Sequence, residues 1–363
     1  MLPLVEDIGS LGGRMAVYVV LFILSLGLLE VGADRFLDST AVVARRIRVP
    51  QVLIALLTAG AEWEELVVVV VALVQGHPYL ALGNIIGSSI ANILGSFSLA
   101  LLFAGDASIT IDRSGRIYAL AMAFVSVLVG LGAWTATLGR PFGALLLAIF
   151  VGYAASVGVG IYRGVMRAPE LSDSESDSDS DSDGDVEAPL VAPATSNRVN
   201  GKRSTPMHVL LLLGGLAALS LAGYLLAGSS TAFADAAGLT DSVVGLTLVS
   251  FATTLPEKVL AVLSARRGHS GILIANTVGS NVFLLTLVLG ITLLSADVPL
   301  DWKTRSFDTS VMVASSLAFA ILIFHQRLLQ HRLTGAAMLI AYVAYIVGNF
   351  FVPADSRINL ATD

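Results

Sequence analysis

Two stretches of the sequence repeat each other: residues 60–89 read GAEWEELVVVVVALVQGHPYLALGNIIGSS, and residues 252–281 read ATTLPEKVLAVLSARRGHSGILIANTVGSN. They align without a gap at a constant offset of 192. The alignment pairs polar and turn-forming positions as well as apolar ones: Glu65 with Glu257, Gly76-His77 with Gly268-His269, Asn84 with Asn276, and Gly87-Ser88 with Gly279-Ser280. Any two membrane helices share apolar runs, so the matched polar positions are what identify an internal repeat.

The composition around this repeat is that of a membrane protein. Of the 363 residues, 55% are hydrophobic and only 13% are charged, against roughly 25% charged in soluble domains. The mean hydropathy is +0.82, and apolar runs of about 20 residues recur along the chain, as expected for helices that cross a bilayer. A soluble enzyme and a disordered protein are excluded. Nucleic-acid binding is not expected, because 27 acidic residues outnumber 21 basic ones. The absence of cysteine excludes disulfides and thiolate metal sites.

The apolar runs predict ten membrane spans in two groups of five. The predicted spans are 15–37, 52–74, 79–103, 118–134, 142–162, 207–226, 243–263, 272–294, 309–324 and 336–351. The N-terminus lacks the basic region of a signal peptide, so the first span is expected to remain as an anchor. Five spans separate the two copies of the repeat, and an odd number makes the copies enter the membrane from opposite faces. The predicted fold is therefore an all-α polytopic membrane protein, built from two inverted five-helix repeats.

An acidic segment divides the two repeats. Nine acidic residues lie between positions 170 and 187, and the net charge of −6 becomes +3 when they are left out. Alternating serine and acid with almost no apolar residue predicts a disordered linker. The predicted organisation is a first repeat at 1–165 with its motif at 60–92, a linker at 166–206, and a second repeat at 207–363 with its motif at 252–284. The linker and the short loops that follow odd-numbered spans lie on one side of the membrane and together contain fourteen Lys and Arg residues. The loops and termini on the opposite side contain five. This places the linker in the cytoplasm and both termini outside a cell membrane.

Carboxylates interrupt two of the apolar spans. Span two contains Glu62, Glu64 and Glu65, and span seven contains Glu257 with the hydroxyls of Thr253 and Thr254. A carboxylate at membrane depth costs several kcal/mol unless it has a partner or faces water, so it marks an ion or proton path. Snorkelling from a helix end is the alternative, but the predicted spans place both glutamates of the repeat well inside the membrane.

Spans three and eight add further oxygen ligands. Asn84, Ser88 and Asn92 follow each other at four-residue spacing and share one helix face. Their equivalents in span eight are Asn276, Ser280 and Leu284. Three glycines in these spans allow a close approach of backbones: Gly83, Gly87 and Gly279. Carboxylate, hydroxyl, amide and carbonyl oxygens together describe a site for a hard cation such as Ca²⁺ or Na⁺. His77 and His269 sit beside glycines and are interpreted as turn residues and not as proton relays.

These motifs resemble those of a known family. Ala-Thr-Thr-Leu-Pro-Glu at 252–257 and Ala-Asn-Thr-Val-Gly-Ser-Asn at 275–281 resemble the α-repeat of the calcium/cation antiporter superfamily, which includes the sodium/calcium exchangers. The first copy is similar through Gly60, Glu65 and the Gly-Asn-Ile-Ile-Gly-Ser of 83–88. The resemblance implies exchange of Na⁺ for Ca²⁺ by alternating access, with the ions at the midplane of the bilayer and with no enzymatic activity or cofactor. It places family ligands on Glu65, Ser88, Asn92, Thr253, Thr254, Glu257 and Ser280.

The sequence departs from the family pattern at several ligand positions. The usual Thr-Ser-Leu-Pro-Glu is Ala61-Glu62-Trp63-Glu64-Glu65 in the first copy, and an expected Asp or Asn is Leu284 in the second. One interpretation is that Glu62 supplies the ligand that Leu284 removes. Lys258 follows the key glutamate, and its expected role is to pair with a surplus carboxylate such as Glu64.

Three functions remain open at this point. Sodium/calcium exchange leads, and a proton-coupled exchanger or one of altered specificity is the alternative suggested by the surplus glutamates and Lys258. A non-transporting sensor of the same fold is suggested by Lys258 together with Leu284. An intramembrane enzyme or an ATP-driven pump is not expected, because the chain has neither H-E-x-x-H nor G-x-S-x-G, and no P-loop pattern.

Overall fold

A computed structural model describes residues 11–46, 62–104, 111, 113–162, 205–268, 270–296, 300, 302–325 and 332–351. All secondary structure in this part of the chain is helical. In chain order the helices are α1 (Leu11–Arg46), α2 (Trp63–Val74), α3 (Pro78–Phe103), α4 (Arg113–Trp134), α5 (Arg140–Tyr162), α6 (Thr205–Ala237), α7a (Asp241–Thr253), α7b (Leu255–Arg266), α8 (Ser270–Ser295), α9 (Thr304–Phe324) and α10 (Arg332–Phe351). The predicted all-α polytopic fold is confirmed.

Eight of the described helices are long and apolar enough to cross a membrane, and the bent pair α7a–α7b adds a ninth. α2 is the described part of the second predicted span, and residues 52–61 of that span lie outside the described residues. The total of ten spans therefore stays a prediction. The predicted linker at 166–206 also lies outside the described residues, apart from its last two positions.

The helix boundaries repeat at the same offset as the sequence. α2 and α7b begin and end 192 residues apart, and so do α3 and α8. Both long helices contain a π-helical segment, Ala91–Phe97 in α3 and Phe283–Val288 in α8, and the two segments also start 192 residues apart. Such π segments often occur at functional sites. The repeat seen in the sequence is thus a repeat of local backbone structure.

α3 and α8 form the centre of the molecule. Their most apolar windows are 89% and 83% buried, whereas those of α1 and α6 are only 28% buried. α1 and α6 pack against each other at the periphery, where a Cβ atom on Gly32 would lie 2.9 Å from the backbone nitrogen of Leu219. Small residues at such crossings let membrane helices approach closely.

Glycines also bring α3 against α7a. A Cβ atom on Gly83 would lie 2.6 Å from the carbonyl oxygen of Ser242, and one on Gly87 would lie 2.5 Å from that of Leu246. Gly245 makes the reciprocal approach, since its Cβ atom would lie 2.6 Å from the carbonyl oxygen of Leu80. The predicted close approach at Gly83 and Gly87 is observed, and it brings α3 against Ser250, four residues before the break of span seven at Thr254.

Candidate functional site

The site forms at the break of span seven and at the start of the equivalent helix α2. α7a and α7b meet at Thr254, which has φ −88° and ψ 14°, and the two segments are bent by 45°. Pro256 stands in the first turn of α7b, where its missing N–H and fixed φ are compatible with a helix start. In the first repeat α2 begins at Trp63, directly after the non-helical Glu62 (φ −82°, ψ 78°). The helix start is therefore kept at the equivalent position, although Glu64 replaces the proline there.

Glu62 joins α2 to both central helices. Its carboxylate is buried, and Asn92 Nδ2 in the π segment of α3 donates a 2.9 Å hydrogen bond to Glu62 Oε1. The hydroxyl of Ser280 on α8 lies beside the same carboxylate, in a geometry that falls short of a full hydrogen bond. Three of the predicted site residues, from three different helices, are thus brought together.

Several buried oxygens at this junction have no hydrogen-bond partner within the described part of the chain. They are Glu62 Oε2, both carboxylate oxygens of Glu65, Glu257 Oε2, Asn92 Oδ1 and Ser280 Oγ. Glu65 and Glu257 each lie within electrostatic range of Glu62. Leaving buried polar atoms unpaired is costly, and buried carboxylates require a compensating charge. Carboxylate, amide and hydroxyl oxygens are the ligand types that a hard cation takes, although no three acidic side chains in the described part of the chain come close enough together to hold one metal ion.

The remaining predicted ligands lie on the same helices. Thr253 and Thr254 are buried at the end of α7a and donate to the carbonyl oxygens of Val249 (3.0 Å) and Ser250 (2.6 Å). Each hydroxyl oxygen keeps lone pairs that can accept a further bond. On α3, Ser88 is buried and its hydroxyl lies 3.5 Å from Asn84 Oδ1. On α8, Asn276 is half-buried, whereas Gly279 and Leu284 are buried.

Lys258 does not pair with Glu64, so that prediction was wrong. The side chain is 6% exposed, and its Nζ atom donates to the Thr254 hydroxyl at 2.5 Å and to the Thr254 carbonyl oxygen at 3.1 Å. A third contact reaches the carbonyl oxygen of Phe251 at 3.3 Å. The ammonium turns back along its own helix toward the break, because the carbonyl groups there are the acceptors within reach.

Glu64 lies instead within electrostatic range of a second group of acids. These are Glu30 and Asp34 on α1, in addition to Glu257 and Glu62. The acids of α1 were not among the predicted site residues. Glu30, Asp34 and Asp38 follow each other at four-residue spacing within α1, and this spacing was a signal that could have identified them.

A polar contact also ties the two repeats together away from the carboxylates. His77 precedes α3, as expected for a turn residue, and its Nδ1 lies 2.9 Å from Asp241 Oδ2 at the start of α7a. The hydrogen bond with Asp241 raises the pKa of His77 above its ordinary value, since both Asp241 and Asp235 favour the protonated ring. Its repeat partner, His269, lies outside the described residues.

Comparison with known proteins identifies the family. The profile of the sodium/calcium exchanger protein family matches residues 17–158 and 207–351, which is most of the chain. The putative antiporter CaxA of Alkalimonas amylolytica is 28% identical over 338 residues, covering 91% of this chain and 98% of its own. The sodium/calcium exchanger MaX1 of Methanosarcina acetivorans is 28% identical over 357 residues, covering 93% of this chain and 100% of its own.

Solved structures of low sequence identity share the fold. The sodium-calcium exchanger NCX_Mj superposes with a TM-score of 0.54 at 23% identity, covering 92% of this chain and 98% of its own. Native YfkE superposes with a TM-score of 0.64 at 14% identity, covering 93% and 92%. The family match, the relatives that align over nearly their whole length and the shared fold all agree with the motifs at Glu65 and Glu257. The chain belongs to the sodium/calcium exchanger family.

Proposed function

We propose that this protein is a secondary-active antiporter that exchanges Na⁺ for Ca²⁺ across a cell membrane by alternating access. The observation that carries the proposal is the group of buried, unpaired oxygens of Glu62, Glu65 and Glu257 in or beside the first turns of the equivalent helices α2 and α7b. The name of the relative MaX1 supports Na⁺ and Ca²⁺ as the exchanged ions. The protein acts as a transporter and not as an enzyme, and it needs no cofactor besides the ions that it carries.

The proposed ligands divide into a charged centre and neutral neighbours. Glu65 and Glu257 form the centre, because they occupy equivalent positions of the two repeats; Glu65 is buried, and Glu257 is half-buried with its Oε2 atom buried. Glu62 adds a third carboxylate, oriented by its bond from Asn92, in the role that Leu284 cannot fill. The neutral oxygens are those of Ser88, Asn92, Thr253, Thr254 and Ser280.

Exchange of Na⁺ for Ca²⁺ is expected when both kinds of ion bind in turn to the same site. Ca²⁺ and Na⁺ are both hard cations with oxygen ligands, and either one neutralises the carboxylates that would otherwise be costly to bury. Each ion leaves only when the other replaces it, because the empty charged site is the least favourable state. In the proposed mechanism the site lies between the equivalent helices α2 and α7b, and the two repeats present it to each side of the membrane in turn.

The orientation proposed for the chain has both termini outside and the acidic linker in the cytoplasm. It is supported by the excess of Lys and Arg in the short loops on the linker side. In this orientation His77 and Asp241 lie at the external end of the site.

The test is Ca²⁺ uptake into proteoliposomes that contain the purified full-length protein. A Na⁺ gradient should drive uptake in the wild type. Glu65→Gln and Glu257→Gln keep the side-chain shape but remove the charge, and each should reduce uptake at least 100-fold, since removal of a charged ligand costs about 3 kcal/mol. Glu170→Gln, in the linker, is the matched control and should leave uptake unchanged. Wild-type rates in either site variant would refute the ligand assignment.

Proton-coupled exchange is the second candidate. The observation that favours it is the cluster of surplus acids, in which Glu64 lies within electrostatic range of Glu30, Glu62 and Glu257. A pH gradient would then drive Ca²⁺ uptake where a Na⁺ gradient does not. Ion binding in calorimetry without any uptake would instead indicate a sensor of the same fold.

A further inference from the structure

The ammonium group of Lys258 has the surroundings of a bound cation. Its Nζ atom contacts three oxygens, the Thr254 hydroxyl at 2.5 Å and the carbonyls of Thr254 and Phe251 at 3.1 and 3.3 Å. It also lies 4.8 Å from the centre of the Phe251 ring, within the range of a cation–π contact. The three oxygens and the face of the Phe251 ring all present partially negative charge to this nitrogen.

The oxygens around Lys258 belong to the interruption of span seven. Thr254 is the non-helical residue between α7a and α7b, and Phe251 lies in the last turn of α7a. Carbonyl groups at the end of a half-helix carry partial negative charge and are typical ligands for a coupling cation in secondary transporters. In this protein a side chain of the same helix occupies that position.

The lysine also changes the charge of the proposed site. Glu257, Glu65 and Glu62 lie within electrostatic range of Lys258, and the ammonium offsets one of the three formal negative charges that these carboxylates carry when ionised, which leaves two. Two negative charges match one Ca²⁺ or two Na⁺. The equivalent position of the first repeat is the apolar Leu66, so the added charge is present in one repeat only.

Packing holds the lysine in place. Its stem lies against the π segment of α3, where a Cβ atom on Gly95 would be 3.3 Å from Lys258 Cε and 3.3 Å from Tyr342 Cε1. Helices from both repeats therefore enclose the side chain.

We propose that Lys258 is a tethered cation that permanently occupies one coupling-ion position, so that each Ca²⁺ is exchanged for one Na⁺ fewer than the same site would use without the lysine. The inference rests on the proposed Na⁺/Ca²⁺ exchange and assigns its stoichiometry to a single side chain. Lys258→Met is the informative variant, because methionine keeps the apolar stem against Gly95 and removes the ammonium. Lys258→Arg keeps the charge and is the matched control.

The experiment measures Na⁺-driven Ca²⁺ uptake into proteoliposomes at increasing Na⁺ concentration and at clamped membrane potential. The Hill coefficient for Na⁺ should rise by about one in Lys258→Met, and one additional positive charge should move per Ca²⁺. Both quantities should stay at the wild-type value in Lys258→Arg. An unchanged Hill coefficient in an active Lys258→Met variant would show that the lysine only caps α7a, and the inference would be overturned.

A binding measurement separates this inference from the proposed function. Radioactive Na⁺ bound to the purified protein in equilibrium dialysis should increase by about one ion per chain from wild type to Lys258→Met, whether or not either protein transports. Equal numbers of bound Na⁺ in the two proteins, or none in both, would overturn the inference. Absence of Na⁺-driven uptake by the wild type, with the additional bound ion present in the variant, would refute only the exchange function.

Discussion

A single methyl group added at Gly87 should disrupt the contact on which the candidate site depends. The Cβ atom of Gly87→Ala would lie 2.5 Å from the carbonyl oxygen of Leu246, 2.6 Å from Ser250 Oγ and 2.8 Å from Leu246 Cα. Two of these three neighbours are backbone atoms, which cannot turn aside as a flexible side chain can. Restoring an ordinary contact of 3.4 Å requires α3 and α7a to separate by about 0.9 Å.

The expected cost follows from two opposing effects. Overpacking of a well-packed interior costs about 1–3 kcal/mol, and the backbone overlap at Gly87 places this variant at the upper end of that range. Replacing glycine by alanine within a helix stabilises the helix by about 1 kcal/mol. The net destabilisation is about 2 kcal/mol, which lowers the Tm by about 4 °C in a chain of this size.

Thermal unfolding in detergent, followed by tryptophan fluorescence, measures this change. Gly214→Ala on α6 is the matched control, because no neighbouring atom lies within 4 Å of its Cβ position and its Tm should stay unchanged or rise. Ca²⁺ affinity of Gly87→Ala should also weaken at least about tenfold, equivalent to 1.4 kcal/mol, since Ser88 moves away from the break. A Tm equal to that of Gly214→Ala, with unaltered Ca²⁺ affinity, would refute the reasoning.

Three further predictions concern the replacement of one ligand residue by another, the acidic linker, and the contact between the two repeats. If Glu62 supplies the ligand that Leu284 lacks, Glu62→Ser combined with Leu284→Asp should retain more Ca²⁺ uptake than Glu62→Ser alone, and equal uptake by the two variants would contradict the exchange of ligands. Deletion of residues 170–187 should leave uptake nearly intact, because an acidic segment whose only large apolar residues are Leu171 and Val186 contributes little to packing; loss of activation by Ca²⁺ after the deletion would instead reveal a regulatory role. The contact of His77 with Asp241 raises the pKa of the histidine, so its stabilisation is complete below the unfolded pKa of about 6.5 and is lost as the pH rises through the higher folded pKa. His77→Gln should therefore lower the Tm by about 1 °C at pH 5.5 and not at pH 9, consistent with a half-exposed pair worth about 0.5 kcal/mol; an equal effect at both pH values would show that the pair does not titrate.

The contacts of the Lys258 side chain could be predicted only in part from the sequence. Its position one residue after Glu257 and the cost of burying an ammonium correctly indicated that it needs a partner. The choice of Glu64 was wrong, because the carbonyl groups at the break of its own helix lie closer than a carboxylate on another helix. Likewise, the bond from Asn92 to Glu62 joins residues 30 positions apart, and no spacing rule within one helix connects them.

The sequence by itself determined the all-α membrane fold, the internal repeat and the pairing of Glu65 with Glu257. These features depend on composition and on a constant offset along the chain, and both can be counted without knowledge of packing. Only the tertiary structure decided which oxygens surround Lys258, that Glu30 and Asp34 of α1 lie near Glu64, and that His77 contacts Asp241. Contacts between helices depend on how far each helix is rotated and shifted against its neighbours. A glycine in the sequence indicates that a close approach is possible, but the neighbour that it meets, Leu246 in the case of Gly87, is known only from the packed helices.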